Sequence, residues 1–454
     1  MKILKNTLKL KYQSGFRKYF ANTSWLLGER ILRIAVSLFV AIYVTRYLGP
    51  ERYGLLSYSL SFVFLFSALA SLGLDDILVR ELVNNPAKRQ NLLGTVFWLK
   101  ICGFSVMGFT IAIVLLLKSE NQETLWLIAI ITLGFLFQAT NVVELYFLAQ
   151  VQSKFNVRAQ IIQLLITSLF KIYLVWKEAD LVWFAVAIIL DQAVVAVLFL
   201  ITYKWKVGKF PFLYFNWKKT KLLIRDAWPL IFTGMVVSLY MKIDQVMLKE
   251  MLNAKAVGIY AAAVKLCETW YFFPTALMAS LFPAVVAARR KSETIYEQRV
   301  QKLYDLMVWG SVAVALPITL FSDWIILFIY GTDFKEASDI LRIYTWAGVF
   351  VSLGIASSKW LVTENLQSYS FYITTLGGIV NVGCNLWFIP IYGIKGAAFA
   401  TLLAQGTVSF VGLSFFGKTR KNCWKVINSF NVFGAYKRVF QITNERLSGT
   451  DHGK

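Results

Sequence analysis

Apolar stretches of about 20 residues recur along the whole chain, separated by short polar gaps. Twelve helices can be read, over approximately 24–45, 53–74, 91–117, 124–147, 155–176, 181–203, 222–248, 256–286, 303–330, 338–361, 368–390 and 395–416. Each is long enough to cross a hydrocarbon core of about 30 Å at about 1.5 Å per residue. The expected fold is therefore all-α: a polytopic membrane protein with twelve transmembrane helices.

The polar gaps are not alike. Residues 1–24 carry Lys2, Lys5, Lys9, Lys11, Arg17 and Lys18, and residues 203–221 carry Lys204, Lys206, Lys209, Lys218, Lys219 and Lys221. Every second gap is basic, so that about 30 Lys and Arg fall on one side and about 8 on the other. The basic side is expected to be cytoplasmic, with both termini on it. The break at 203–221 divides the spans into two six-helix lobes. The expected layout is a basic cytoplasmic N-terminal segment (1–23), an N-lobe of spans 1–6 (24–208), a cytoplasmic linker (209–221), a C-lobe of spans 7–12 (222–416) and a basic cytoplasmic tail (417–454).

A weak internal echo supports two lobes. Leu48 matches Leu252 and Gly54 matches Gly258 at an offset of about 204 residues, and the small-residue run after the glycine is read as shared. Lobes with an even number of spans would be parallel repeats, related by an axis along the membrane normal. Pro229, Pro274, Pro283 and Pro317 lie in spans 7, 8 and 9, where they permit kinks.

Of the 454 residues 57% are hydrophobic and 16% aromatic, more apolar surface than a water-soluble domain can hide. The net charge of +22 is spread over short loops and two tails, which suits anionic lipid headgroups and not nucleic acid. Cys102, Cys267, Cys384 and Cys423 show no metal-ligand spacing, and the one histidine is His452 in the polar tail, so no metal site is expected. No cleavable signal peptide is read at the start. Ile3, Leu4, Leu8, Phe16 and Phe20 would suit an interfacial amphipathic helix, or equally a basic tail that only sets topology.

Charges inside the spans carry the candidate chemistry, because each costs at least about 2.5–3.5 kcal/mol at the bilayer centre. Span 1 holds Glu29, Arg30 and Arg33; spans 3, 5 and 6 hold Lys100, Lys171 and Asp191; span 7 holds Lys242 and Asp244; span 8 holds Lys265 and Glu268. Glu29 with Arg33, and Lys265 with Glu268, are spaced to meet on one helical face. Lys100, Lys171 and Asp191 read best as structural charges, with Lys171 snorkelling from a helix end. Arg30 and Arg33 are three apart and form a good anion clamp, since guanidinium binds phosphate bidentately. Either these groups line a substrate cavity or they are interhelical ion pairs.

Nothing suggests an enzyme. There is no phosphate-binding loop of the Walker type, no nucleophile with a histidine partner, and no external loop large enough for a catalytic domain. The chain reads as a membrane transporter driven by a gradient or by its substrate.

The segments Trp25-Leu-Leu-Gly-Glu-Arg30-Ile-Leu-Arg33 and Val44-Thr-Arg-Tyr-Leu-Gly49-Pro50-Glu51-Arg52-Tyr53-Gly54-Leu55-Leu56-Ser57-Tyr58 resemble the Wzx-like flippases of polysaccharide and O-antigen repeat units. That family belongs to the multidrug/oligosaccharidyl-lipid/polysaccharide exporter superfamily. Leu72-Gly73-Leu74-Asp75, Val79-Arg80-Glu81 and Tyr392-Gly-Ile-Lys-Gly396-Ala-Ala398 add to the resemblance, which extends over roughly 24–416. It implies alternating access in the inner membrane, moving undecaprenyl-diphosphate-linked oligosaccharide for O-antigen, capsule or exopolysaccharide. Arg30, Arg33, Lys242 and Lys265 match the family's cationic cavity and would hold the diphosphate, while Asp244 and Glu268 would couple H+ or Na+ or balance charge. No cofactor is implied. Membrane lipids are expected partners, and a polysaccharide polymerase and a chain-length regulator are candidates.

Three alternatives stay open: a multidrug/cation antiporter of the same superfamily, a lipid II-type flippase, and a scaffold of a polysaccharide assembly complex. The excess of Arg and Lys over carboxylates argues against the first, and residues 417–454 are too polar for the two extra spans of the second. Gln138, Asn141, Asn381 and Asn385 are candidates for sugar selection.

Overall fold

The computed structural model describes residues 2–208, 214–289 and 292–438, with side chains from Trp25 onward except Leu26 and Leu27. The side chains of Ile3, Leu4, Leu8, Phe16 and Phe20 lie outside the described residues, as do His452 and the rest of the tail beyond Arg438.

Every element among the described residues is helical. Eleven helices are long and apolar enough to cross a membrane, from Gly28–Leu65 to Ile394–Phe415. The expected count was twelve, and the difference lies at one place. Helix α1 (Lys2–Leu65) runs through both of the first two expected spans, broken only at Gly49 (φ 68, ψ 174), which precedes Pro50. A positive φ is cheap for glycine alone, and proline cannot donate the next helical hydrogen bond, so the kink is written in the Gly-Pro pair.

Close contacts divide the chain into two units, Met1–Leu48 with Leu55–Ser238 and Gly49–Gly54 with Leu239–Lys454. The division falls inside a long helix, after Ser238.

The first unit holds most of α1, then α2 (Ser67–Ser71), α3 (Leu74–Asn84), α4 (Arg89–Leu117), α5 (Gln122–Gly134), α6 (Val142–Ala149), α7 (Lys154–Trp176), α8 (Leu181–Val207) and the start of α9 (Trp217–Met251). Its core is apolar, built on Leu74, Leu78, Leu93, Val96, Val142, Val143, Phe147 and Tyr203, all nearly inaccessible. Between α5 and α6 the chain tightens into a 3₁₀ stretch, Phe135–Asn141. With about three residues per turn, residues three apart eclipse there, and such a stretch within a long helix often marks a functional position.

The second unit holds the rest of α9, then α10 (Ala254–Trp270), α11 (Phe272–Arg289), α12 (Glu293–Leu320), α13 (Ser322–Ile329), α14 (Ala337–Thr363), α15 (Gln367–Tyr392), α16 (Ile394–Gly406), α17 (Gly412–Phe415) and α18 (Arg420–Ser429). A π-helical turn at Thr407–Val411 joins α16 to α17. The basic tail is more than a tail. α18 packs on α12, and Arg438 makes two hydrogen bonds, 2.7 and 3.0 Å, to the fully buried Asp305.

Within this second unit the matched glycines of the internal echo meet. A Cβ at Gly54 would fall 1.8 Å from the Ala254 carbonyl oxygen, and one at Gly258 would fall 1.8 Å from that of Pro50. Pro50 and Ala254 stand at the same offset as the glycines, so the contact is reciprocal. Only hydrogen fits between the two backbones, which explains why glycine occupies both positions.

Candidate functional site

Most charges inside the spans of the first unit are matched. Arg33 Nε donates to Glu29 Oε1 at 2.5 Å, one helical turn away, as its spacing predicts. Lys100 on α4 is 2% exposed and donates to Asp75 on α3 at 2.5 Å. Lys171 does not snorkel: it crosses to α8 and pairs with Asp191 at 2.5 Å, because a carboxylate within reach offsets its charge better than a distant interface. Asp191 also accepts from Gln163 Nε2 at 2.6 Å.

Behind these pairs lies a cavity of about 340 Å3 within the first unit. The 3₁₀ stretch supplies Gln138 and Asn141, which eclipse each other, and Glu144 follows three residues later on α6. α7 supplies Gln160 and Gln163, α8 supplies Asp191 and Gln192, and Arg33 of α1 stands at the wall. Glu144 accepts from Gln160 at 2.9 Å. The side-chain oxygens of Gln138 and Asn141 are buried without a hydrogen-bond partner among the described residues. An unsatisfied buried amide costs about 1–3 kcal/mol, so two in one wall call for an explanation.

The second unit contains a different arrangement. Asp244 on α9 is 5% exposed, and no Lys or Arg pairs with it among the described residues. Its Oδ2 accepts from the Thr401 hydroxyl at 2.6 Å and from the Tyr260 hydroxyl at 2.8 Å. Its Oδ1 accepts from Asn385 Nδ2 at 2.7 Å, and Asn385 in turn donates to Asn381 at 3.1 Å. The Asn385 oxygen and the Asn381 nitrogen remain buried and unpartnered. Four helices thus converge on one carboxylate and surround it with neutral groups. Asn381 and Asn385, taken as sugar-selecting candidates from the sequence, belong to this sealed cluster.

The remaining expected residues are more open. Arg30 is exposed, Lys242 and Glu268 are half-buried, and Lys265 is exposed. Arg30 and Arg33 belong to the first unit, and Lys242, Asp244, Lys265 and Glu268 to the second.

Residues 19–289 match the polysaccharide biosynthesis protein family. The chain belongs to that family. Residues 229–387 of this family member also match the MatE family. Over 189 residues it is 26% identical to a Haloferax volcanii protein named "Probable low-salt glycan biosynthesis flippase Agl15", covering 39% of each chain. Over 176 residues it is 26% identical to "Probable flippase AglR" of the same organism, covering 37% of this chain and 36% of that one. The match thus spans about two-fifths of these curated relatives. The fold is shared with an inward-facing multidrug resistance MATE family transporter of the MOP superfamily (TM-score 0.68, 14% identity, 88% of this chain and 96% of the other). It is shared also with the lipid II flippase MurJ in an inward closed conformation (TM-score 0.64, 16% identity, 96% and 94%). The chain is accordingly a multi-pass membrane protein.

Sequence reasoning missed Glu144, Gln160, Gln163 and Gln192 of this family member's cavity. A signal was available: Gln138, Asn141 and Glu144 recur every third residue, a polar stripe inside an apolar span. Asp305 and its pairing with Arg438 were missed as well.

Proposed function

We propose that the chain is a flippase that carries a lipid-linked oligosaccharide across a membrane by alternating access. The observation that carries this reading is an amide-rich polar cavity inside an intramembrane helical unit of a polysaccharide biosynthesis family member. A polar cavity at that position is costly unless a polar cargo uses it.

In its finer form, the cargo is an undecaprenyl-diphosphate-linked repeat unit for O-antigen, capsule or exopolysaccharide, moved from the cytoplasmic to the periplasmic leaflet of an inner membrane. With α1 taken as two crossings on either side of its kink at Gly49, the spans number twelve, and the proposed arrangement is two lobes of six with both termini cytoplasmic. Arg30, Arg33, Lys242 and Lys265 contact the diphosphate, for which guanidinium and ammonium donors are the matching groups. Asp244 takes the coupling ion, H+ or Na+: a buried carboxylate with hydroxyl and amide neighbours and no fixed cation is most stable with a mobile positive charge beside it. Glu268 balances charge. A polysaccharide polymerase and a chain-length regulator are its working partners.

A second reading, a multidrug/cation antiporter, draws on the MatE match and on the carboxylates Glu144 and Asp191 at the cavity. The two readings separate in cells. With protein level held equal, Arg33→Ala abolishes surface polysaccharide while lipid-linked intermediates accumulate on the cytoplasmic side. Normal polysaccharide in that variant removes Arg33 from the path, and drug sensitivity without a polysaccharide defect favours the antiporter.

A further inference from the structure

The cavity of the first unit has a charge balance that its cationic reputation hides. Arg33 is matched by Glu29, and Lys171 by Asp191. Glu144 is left with only Gln160 as its hydrogen-bond partner from the wall. With the carboxylates ionised, the wall therefore carries a slight negative balance, and a diphosphate entering it would meet no unmatched cation. What the wall offers freely is amides: the side-chain oxygens of Gln138 and Asn141 have no hydrogen-bond partner among the described residues, and Gln192 stands in the same wall. An amide presents a donor and an acceptor side by side, the complement of a sugar hydroxyl, which is also both. Phe137 and Phe199 add apolar faces against which the carbon side of a ring can lie. At about 340 Å3 the space suits part of a glycan and not a lipid-linked unit in full.

We infer that this cavity is the glycan subsite of the transporter: it binds a neutral pyranose portion of the cargo through Gln138, Asn141 and Gln192, and the diphosphate lies outside it. The inference rests on the flippase reading and adds to it where the sugar is selected. It also accounts for the orphan amide oxygens. Their cost in the unliganded protein is offset when hydroxyl groups arrive to donate to them.

The two roles an amide can have here give opposite stability outcomes. If Gln138 and Asn141 were structural, replacing them would lower stability. As unpartnered polar groups, they should be replaceable by leucine with no loss or a small gain in melting temperature.

The probes are methyl pyranosides of glucose, galactose and mannose and their 2-acetamido forms. Binding to the full-length, detergent-solubilised protein is followed by saturation-transfer NMR, with sodium diphosphate and tetraphenylphosphonium as competitors. The expected result is that at least one neutral glycoside binds. Gln138→Leu and Asn141→Leu each weaken it about tenfold at unchanged or raised melting temperature, and neither competitor displaces it. Binding by none of the glycosides, affinity unchanged in both variants, or displacement by diphosphate or by tetraphenylphosphonium overturns the subsite; the last outcome marks a cation pocket. Flipping of a lipid-linked oligosaccharide in liposomes is read separately. Glycoside binding without flipping sinks the flippase reading alone, and flipping that is indifferent to both leucine variants sinks the subsite alone.

Discussion

The cavity of the first unit and the Asp244 cluster of the second handle buried charge in opposite ways. In the first, most cations and carboxylates are brought into pairs, Arg33 with Glu29, Lys100 with Asp75, Lys171 with Asp191, while Glu144 with its Gln160 partner and open amides are left around a cavity. In the second, one carboxylate is enclosed by Tyr260, Thr401 and Asn385, with no cation paired to it among the described residues. A paired charge reaches a charged ligand only by loosening its pair, as Arg33 would from Glu29 to meet the diphosphate. A carboxylate held only by neutral donors keeps its need for a positive charge. The contrast is what supports the proposed division, polyhydroxylated cargo in the first unit and ion coupling at Asp244 in the second.

The largest expected effect tests whether pairing matters in the first unit. Asp75→Asn leaves the Lys100 ammonium, 2% exposed, without its counter-charge, and should cost about 3–5 kcal/mol of stability. Adding Lys100→Met should recover most of it, as chemical denaturation in detergent can read. A double variant as unstable as the single one would mean that the pair is not what holds α3 to α4. Next comes Asp244→Asn, nearly isosteric and still able to meet its neighbours. It should lower ion-driven transport about 5–150-fold and abolish its dependence on the coupling ion, whereas Glu144→Gln leaves that dependence intact. Were Glu144→Gln the variant that loses ion dependence, the assignment of the two units would be reversed.

Gly258→Ala sharpens the comparison from the side of packing. Its Cβ would overlap the Pro50 carbonyl, so the two backbones must separate, at about 1–3 kcal/mol. The same change at Gly354, where nothing lies within 4 Å, should be neutral. The smallest effect is expected at Lys171, whose pair with Asp191 is partly open to solvent and shared with Gln163. Lys171→Ala should shift stability by only about 0.2–1 kcal/mol, and a larger loss in the melt would show that this pair carries the α7–α8 contact.

Much of the fold could be read from the chain because lipid leaves few options. Long apolar segments must be helices, and a Gly-Pro pair inside one must bend it, as Gly49 and Pro50 do. Pairs on one helix, such as Glu29 with Arg33, follow from spacing alone. Pairs between helices do not. Whether Lys171 meets Asp191, or Asn385 meets Asp244 from 141 residues away, depends on how each helix is rotated against its neighbour. That is set by packing along the whole interface. Arg438 and Asp305, 133 residues apart, escaped for the same reason, and with them the docking of the tail. The cavity was half legible: Gln138 and Asn141 stood out as amides in an apolar span, whereas their eclipsed alignment comes from the 3₁₀ stretch that only the structure reveals.

The central claim is that this chain moves a lipid-linked glycan. It is tested most directly by reconstituting the purified protein in liposomes that hold a fluorescent polyprenyl-diphosphate oligosaccharide, and timing its exposure to an external glycosidase. The account predicts exposure that requires the protein, rises with an imposed H+ or Na+ gradient, and falls in Asp244→Asn. Exposure no faster than in protein-free liposomes, with the gradient present and the protein folded, would contradict it.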